Sequence, residues 1–185
     1  MADKMDTKGL VIVITGNGKG KTSAALGMML RCVGHNKKVC VIQFMKSADS
    51  GYGEIEMMNR LGVENYQAGA GCTWRVSAEA TLETVETAWQ LAKEKVHSAQ
   101  YDMVILDEVN TAMQLPEKVG KQVIHPEQML ELIEKIRVEQ PWLHLVLTGR
   151  YARPEIIQSA DLVSEIKCVK HPFQSGIQAQ PGIEF

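Results

Sequence analysis

Residues 15–23 read Thr15-Gly16-Asn17-Gly18-Lys19-Gly20-Lys21-Thr22-Ser23. Glycines alternating at 16, 18 and 20 let the backbone curl until successive N–H groups face a single anion. Lys21 then offers an ammonium to the same phosphates, and the Thr22 hydroxyl is a hard oxygen ligand suited to Mg²⁺. Gly16, Asn17, Gly18, Lys19, Gly20, Lys21, Thr22 and Ser23 are therefore candidate triphosphate-binding residues. The order is that of a P-loop with one departure: in the G-x-x-x-x-G-K-[ST] spacing the first glycine falls at position 15, which is Thr15 here, with Gly16 beside it. A glycine-rich turn with incidental lysines is the alternative, and it leaves the Gly-Lys-Thr-Ser order unexplained.

A second group carries complementary chemistry. Met103-Val104-Ile105-Leu106-Asp107-Glu108 is an apolar run ending in two acids, the pattern of a Walker B strand. If the run is a strand, both carboxylates emerge at its C-terminal end. One can hold a divalent cation directly or through water, and the other can orient the shell. Thr22, Asp107 and Glu108 are the candidate metal set, for Mg²⁺ or Mn²⁺.

These groups need elements that bring positions 15–23 and 107–108 together. Short apolar, mostly β-branched runs at 10–14, 38–44, 63–66, 103–107 and 144–148 read as buried parallel strands, with 162–166 as a sixth candidate. Helical patterns lie between them. The clearest spans 79–99, where Leu82, Val85, Trp89, Ala92 and Val96 recur at steps of three and four and form a core-facing stripe. Alternation of strand and helix predicts an α/β fold, a mostly parallel sheet with helices on both faces. Right-handed crossovers then gather every strand C-terminus, and both motifs, at one edge. Residues 113–126 read as an irregular excursion, with His125 a turn residue before Pro126. No repeat or linker composition divides residues 1–185, so one domain is expected.

Composition narrows the function classes. With 45% hydrophobic and 23% charged residues, the chain matches ordinary soluble domains. A formal charge of -2 gives no basic field to hold nucleic acid, so a triphosphate must be gripped locally. Cys32, Cys40, Cys72 and Cys168 are widely spaced, which argues against a zinc site and a secreted disulfide framework. The polar N-terminus and the lack of any run near the roughly 18 apolar residues of a membrane helix predict a cytoplasmic protein with no membrane partner.

A P-loop and an acidic strand end serve many reactions. Further segments make the resemblance specific: Arg31-Cys32-Val33-Gly34-His35, Gln43-Phe44-Met45-Lys46, Gly71-Cys72-Thr73-Trp74, Thr148-Gly149-Arg150, Val169-Lys170-His171-Pro172-Phe173 and Pro181-Gly182-Ile183-Glu184-Phe185. Together with the loop and Leu106-Asp107-Glu108, they resemble the ATP:corrinoid adenosyltransferases over nearly the whole chain, from about Gly9 to Phe185. Asn17 between two glycines is itself a feature of that family, so the departure at Thr15 supports the resemblance.

The resemblance implies a P-loop NTPase (RecA-like) fold and a particular alkylation. The Co(I) of a reduced corrinoid attacks the 5′ carbon of ATP, and inorganic triphosphate leaves. ATP lies in the loop in a reversed sense that opens its 5′ carbon to the corrinoid. Lys21, Thr22 and Glu108 are the implied catalytic residues. Arg31 and Arg150 are implied contacts of ATP, and for each a solvated charge or helix-end cap is the alternative. Trp74 resembles the family's corrinoid-facing Trp, against burial beside the following helix.

Two residues before that Trp the family carries Phe, and this chain has Cys72. Aromatic residues there are thought to displace the corrinoid's axial ligand, and a cysteine does not fill that volume. Either Cys72 contacts cobalt, a neighbouring aromatic compensates, or displacement is weaker; a plain small hydrophobe on a loop is the simplest role. His171 and Phe173 belong to a tail that in the family covers the active-site region, and His171 reads as a structural histidine. The resemblance also implies a homodimer and an external reductant such as a reduced flavoprotein. An ATPase or small-molecule kinase would release ADP instead of triphosphate. A non-catalytic corrinoid-delivery module would bind ATP without turnover.

Overall fold

In the computed structural model, residues 8–47, 51–69, 77–115 and 121–185 are described. Six strands form one sheet in the order β3-β2-β4-β5-β1-β6, every pair parallel. They are β1 (Val11–Thr15), β2 (Val39–Gln43), β3 (Glu64–Gln67), β4 (Met103–Asp107), β5 (His144–Thr148) and β6 (Leu162–Glu165). The helices are α1 (Lys21–Gly34), α2 (Gly53–Arg60), α3 (Ala78–His97), α4 (Val109–Ala112), α5 (Pro126–Glu139) and α6 (Pro154–Ser159), with a 3₁₀ turn at Pro172–Ser175. The expected α/β architecture is observed.

Strand periodicity of two sends alternate residues of each central strand into different layers of the core. Val11, Val13, Val104, Leu106, Leu145 and Leu147 pack with Trp89 of α3 and Ile133 and Ile136 of α5. Ile12, Ile14, Val41, Ile105 and Val146 pack with Ala25 and Met29 of α1 and Met58 of α2. The α3 stripe is as expected: Val85, Trp89, Ala92 and Val96 are buried, and Leu82 is half-buried. Pro126 opens α5 with no N–H to leave unpaired, and the His125 N–H donates to Gln128 Oε1 at 2.9 Å.

The two outer strands correct the expectation of burial. Glu64 is exposed and Asn65, Tyr66 and Gln67 are half-buried, while all of β6 is exposed. Each has a sheet neighbour on one side only, which limits how much of its surface packing can cover. Polar residues mark the β3 edge; Leu162 and Val163 leave β6 apolar.

Register fixes where the chemistry lies. Gln43 stands beside Asp107, and Ile14 beside Thr148. The ends of β2, β4, β5 and β1 therefore open onto one edge, where the loop after β1 turns into α1.

Candidate active site at the strand C-termini

Gly16 and Gly20 take φ of 98° and 115°, the left-handed region open to glycine. A Cβ on Gly16 would lie 2.4 Å from the Ile166 carbonyl oxygen, so the loop can pass the end of β6 only without a side chain. The residue where a first glycine was due, Thr15, is still strand, and its hydroxyl accepts the Ala152 N–H at 3.2 Å. The bend simply begins one residue later. Gly18 N–H donates to Ile166 O at 2.7 Å, tying the crest of the loop to the chain after β6.

Asn17 through Ser23 line a cleft of about 490 Å³, joined by Lys46, Tyr52, Gly53, Glu54, Glu108, Arg150, His171 and the 182–185 tail. Lys21 is 6% exposed, and its Nζ donates to Gly18 O at 2.8 Å. Burial pushes its pKa down; Glu108 and Asp107 oppose that shift, and Arg150 and Lys19 add to it. Lys19 is on the rim and pairs with Glu184 of the tail at 2.7 Å.

The two acids after β4 have separate surroundings. Asp107 is 1% exposed. Its Oδ1 accepts from the Thr22 hydroxyl at 2.8 Å and the Thr148 hydroxyl at 2.7 Å, and its Oδ2 accepts from Gln43 Nε2 at 3.2 Å. Asp107 lies behind the cleft wall, whereas Glu108 lines it. Glu108 has φ of 63°, an unusual conformation for a residue with a Cβ. It is held by its own N–H, which donates to Thr148 Oγ1 at 2.9 Å, and by the Thr111 hydroxyl, which donates to its carboxylate. Arg150 N–H donates to Thr111 Oγ1 at 3.0 Å. Gly149 permits this, since a Cβ there would sit 2.8 Å from Thr111 N.

This arrangement fits a hard cation. Because the Thr22 hydroxyl donates to Asp107, its lone pairs stay available to a metal, and the Glu108 carboxylate is on the same cleft wall. Among the described residues, no group of three or more His, Cys, Asp or Glu could hold a metal ion. A divalent ion at Thr22 and Glu108 would complete its shell with phosphate oxygens and water, the usual habit of Mg²⁺.

Not every expected residue is brought to the cleft. Arg31 is exposed in the last turn of α1, about 15 Å along the helix axis from Lys21. It does not line the cleft, because α1 runs away from the loop it follows. Gly16 shapes the loop from behind and is absent from the lining. Cys72 and Trp74 lie outside the described residues. His171 does line the cleft, and its Nδ1 accepts Phe173 N–H at 3.3 Å, consistent with a structural histidine.

Sequence reasoning gave no role to Lys46, Tyr52 or Glu54, although all three face the cleft. A usable signal existed for Lys46: it is a cation three residues past the end of β2, where chains of this architecture place ligand contacts.

Likeness to known proteins agrees with the geometry. The chain resembles two solved structures: a KaiC-like protein of Pyrococcus horikoshii OT3, with TM-score 0.53 and 15% identity over 86% of this chain and 73% of that one; and the flagellar accessory protein FlaH of Methanocaldococcus jannaschii, with 0.57 and 11% over 88% and 76%. At these identities the likeness concerns the fold alone, which is of the P-loop NTPase, RecA-like kind. A corrinoid adenosyltransferase of Sinorhizobium sp is 40% identical over 100% of this chain and 84% of its own length. One from Escherichia coli K12 is 37% identical over 100% and 90%. The sequence profile of the family described as ATP:corrinoid adenosyltransferase BtuR/CobO/CobP matches residues 7–185. Matched to that profile over nearly its whole length, and with loop, Glu108 and tail lining one cleft, this chain belongs to the ATP:corrinoid adenosyltransferase family.

Proposed function

We propose that this chain transfers the 5′-deoxyadenosyl group of ATP to the Co(I) centre of a reduced corrinoid, in cobalamin biosynthesis or salvage. The observation that carries the reading is a P-loop cleft lined by buried Lys21 and half-buried Thr22 and Glu108, in a chain that matches the family profile over residues 7–185. The cobalt lone pair forms the Co–C5′ bond while the C5′–O5′ bond breaks, and the electron pair of that bond leaves on the triphosphate. No proton is abstracted, so the site needs no general base.

Charge grows on the departing phosphate oxygen, and the protein's task is to stabilise it. Backbone N–H groups of the loop other than that of Gly18, together with the N-terminus of α1, supply fixed donors, and Lys21 supplies a charge. Mg²⁺ or Mn²⁺ held by Thr22 and Glu108 would add Lewis-acid stabilisation of the phosphate oxygens. Asp107 holds Thr22 in place from behind. Arg150, which lines the same cleft, is the further nucleotide contact. For the corrinoid we assign the segment following Gly69, with Trp74 offering aromatic area to a flat ring and Cys72 beside it. A homodimer, a cytoplasmic location and an external reductant such as a reduced flavoprotein complete the reading. Among the described residues no helix is long and apolar enough to cross a membrane.

The test is anaerobic incubation with ATP, Mg²⁺ and chemically reduced cob(I)alamin. Adenosylcobalamin and inorganic triphosphate should appear in equal amounts, and Lys21→Ala should lower the rate by about 10²-fold or more. ATP converted to ADP with no alkylated cobalt would instead establish an ATPase or kinase.

A further inference from the structure

Lys46 lines the same cleft as the P-loop, and its side chain is 15% exposed. Its ammonium pairs with the Glu54 carboxylate, lies 3.8 Å from Asp107 Oδ2 and sits 4.6 Å from the centre of the Tyr52 ring. Its backbone is fixed on both sides. Phe44 N–H donates to Asp107 O at 3.0 Å, and Gly69 N–H donates to Lys46 O at 2.9 Å. Gly69 comes so close that a Cβ there would lie 2.7 Å from Lys46 N. The position of the Lys46 backbone is therefore set by the sheet edge, and the side chain carries the ammonium into the cleft.

A lysine fixed in a triphosphate cleft and matched to a carboxylate is open to two accounts. Either the pair is a strut that braces α2 against β2, or the carboxylate is a stand-in for the ligand's own negative charge. Two observations favour the second. The cleft lining carries Lys19, Lys21, Lys46 and Arg150, and each of the two lysines away from the loop's buried centre is matched by a cleft carboxylate, Glu184 for Lys19 and Glu54 for Lys46. Glu54 also sits in the first turn of α2, where the positive end of the helix dipole stabilises a carboxylate that has lost its lysine. Exchange of Lys46 from Glu54 to a phosphate thus leaves Glu54 stabilised, and Asp107 keeps its bonds from Thr22, Thr148 and Gln43.

Building on the adenosyltransferase reading, we propose that Lys46 is a triphosphate-binding residue, released from Glu54 when ATP enters and held on the phosphate chain as it departs. Its cation reaches the triphosphate from the end of β2, so the leaving group is met by a second lysine besides Lys21.

Isothermal titration with inorganic tripolyphosphate and Mg²⁺ separates the accounts, because they predict different signs. Lys46→Ala should weaken binding about tenfold or more, as expected for loss of a charge-assisted hydrogen bond. Glu54→Gln removes the competitor and should tighten binding about threefold. A strut loses the same interaction in either variant, so both would weaken binding alike, and that result overturns the proposal. So does a Lys46→Ala constant within twofold of wild type. Lys46→Met, which keeps the apolar stem, repeats the measurement should the alanine variant melt early. Wild-type protein that fails to bind tripolyphosphate, or Lys21→Ala binding it equally well, would overturn the cradle reading and Lys46's role with it. Normal Lys21 dependence with an unchanged Lys46→Ala would overturn the Lys46 proposal alone.

Discussion

The two walls of the cleft are built by different means. The loop wall, 17–23, is backbone: a path set by positive φ at Gly16 and Gly20, and a helix that begins where the loop ends. The rest of the lining is made of side chains from separated places, Lys46 after β2, Glu54 in α2, Arg150 after β5 and Glu184 in the tail. A backbone cradle must be written as a contiguous pattern, because each residue's conformation shapes its neighbour's. A side-chain wall has no such requirement, since the sheet brings its members together.

The most damaging way to probe the difference is to give the backbone wall a methyl group it cannot hold. In Gly18→Ala the new Cβ would meet Lys167 C and O at 2.7 Å each, both backbone atoms unable to swing aside. The loop must shift, and a displacement near 1 Å costs about 10²-fold in rate. Overpacking of this kind also costs about 1–3 kcal/mol. The adenosylation rate should fall by about that factor, with a lower Tm. A variant of wild-type rate would show that the loop adapts and that its glycines are not the cradle's constraint.

Next comes the joint between the walls. Thr148, 0% exposed, donates to Asp107 and accepts from the Glu108 N–H, so one hydroxyl fixes the acid behind Thr22 and the acid in the cleft. Thr148→Val keeps the shape and removes both bonds. Leaving a buried group unsatisfied costs about 1–3 kcal/mol, and loss of an outer partner of a metal ligand typically weakens metal affinity or activity by about 10–100-fold. The Mg²⁺ concentration for half-maximal rate should rise accordingly. A change in stability without any change in Mg²⁺ dependence would separate Thr148 from the metal site.

What could be read from sequence follows the same division. The loop, Lys21, Thr22 and the central strands were legible, because β-branched runs such as Val11–Thr15 and Met103–Asp107 signal buried strands directly. Edge strands were not distinguished from central ones, since periodicity registers apolar residues and not how many neighbours a strand has. That Asp107 is buried behind the wall while Glu108 faces the cleft was also hidden: it follows from the positive φ at Glu108 and from Thr148, forty-one residues away from Asp107. Arg31 illustrates the converse, a motif residue whose helix carries it away from the cleft.

A smaller effect is expected at the rim. Lys19 and Glu184 are 39% and 24% exposed, and pairs of that kind contribute about 0–1 kcal/mol. Glu184→Gln should tighten tripolyphosphate binding by no more than about fivefold, less so in high salt. A larger gain would mean the tail obstructs the cleft beyond its charge.

The smallest effect belongs to a lysine–glutamate pair outside the cleft, which serves as the reference for Lys46 and Glu54. Glu64 of β3 accepts from Lys95 at 2.8 Å, Tyr66 at 2.5 Å and Tyr101 at 2.7 Å. Lys95, then the two tyrosines, lower its pKa from the ordinary 4.5 to about 2. A carboxylate whose pKa falls on folding contributes stability that is fully present above its unfolded pKa and lost as pH drops through the folded one. The wild-type advantage over Glu64→Gln should therefore be constant above about pH 5 and shrink between there and about pH 2. With the Glu64 side chain 41% exposed, solvent screening keeps that advantage at about 1 kcal/mol or less. Urea melts of Glu64→Gln and Lys95→Met at pH 7 should shift in the same direction, as befits a strut with no ligand to release. Opposite shifts would mean that sign alone does not distinguish a strut from a charge held for a ligand, and the contrast with Lys46 and Glu54 would lose its force.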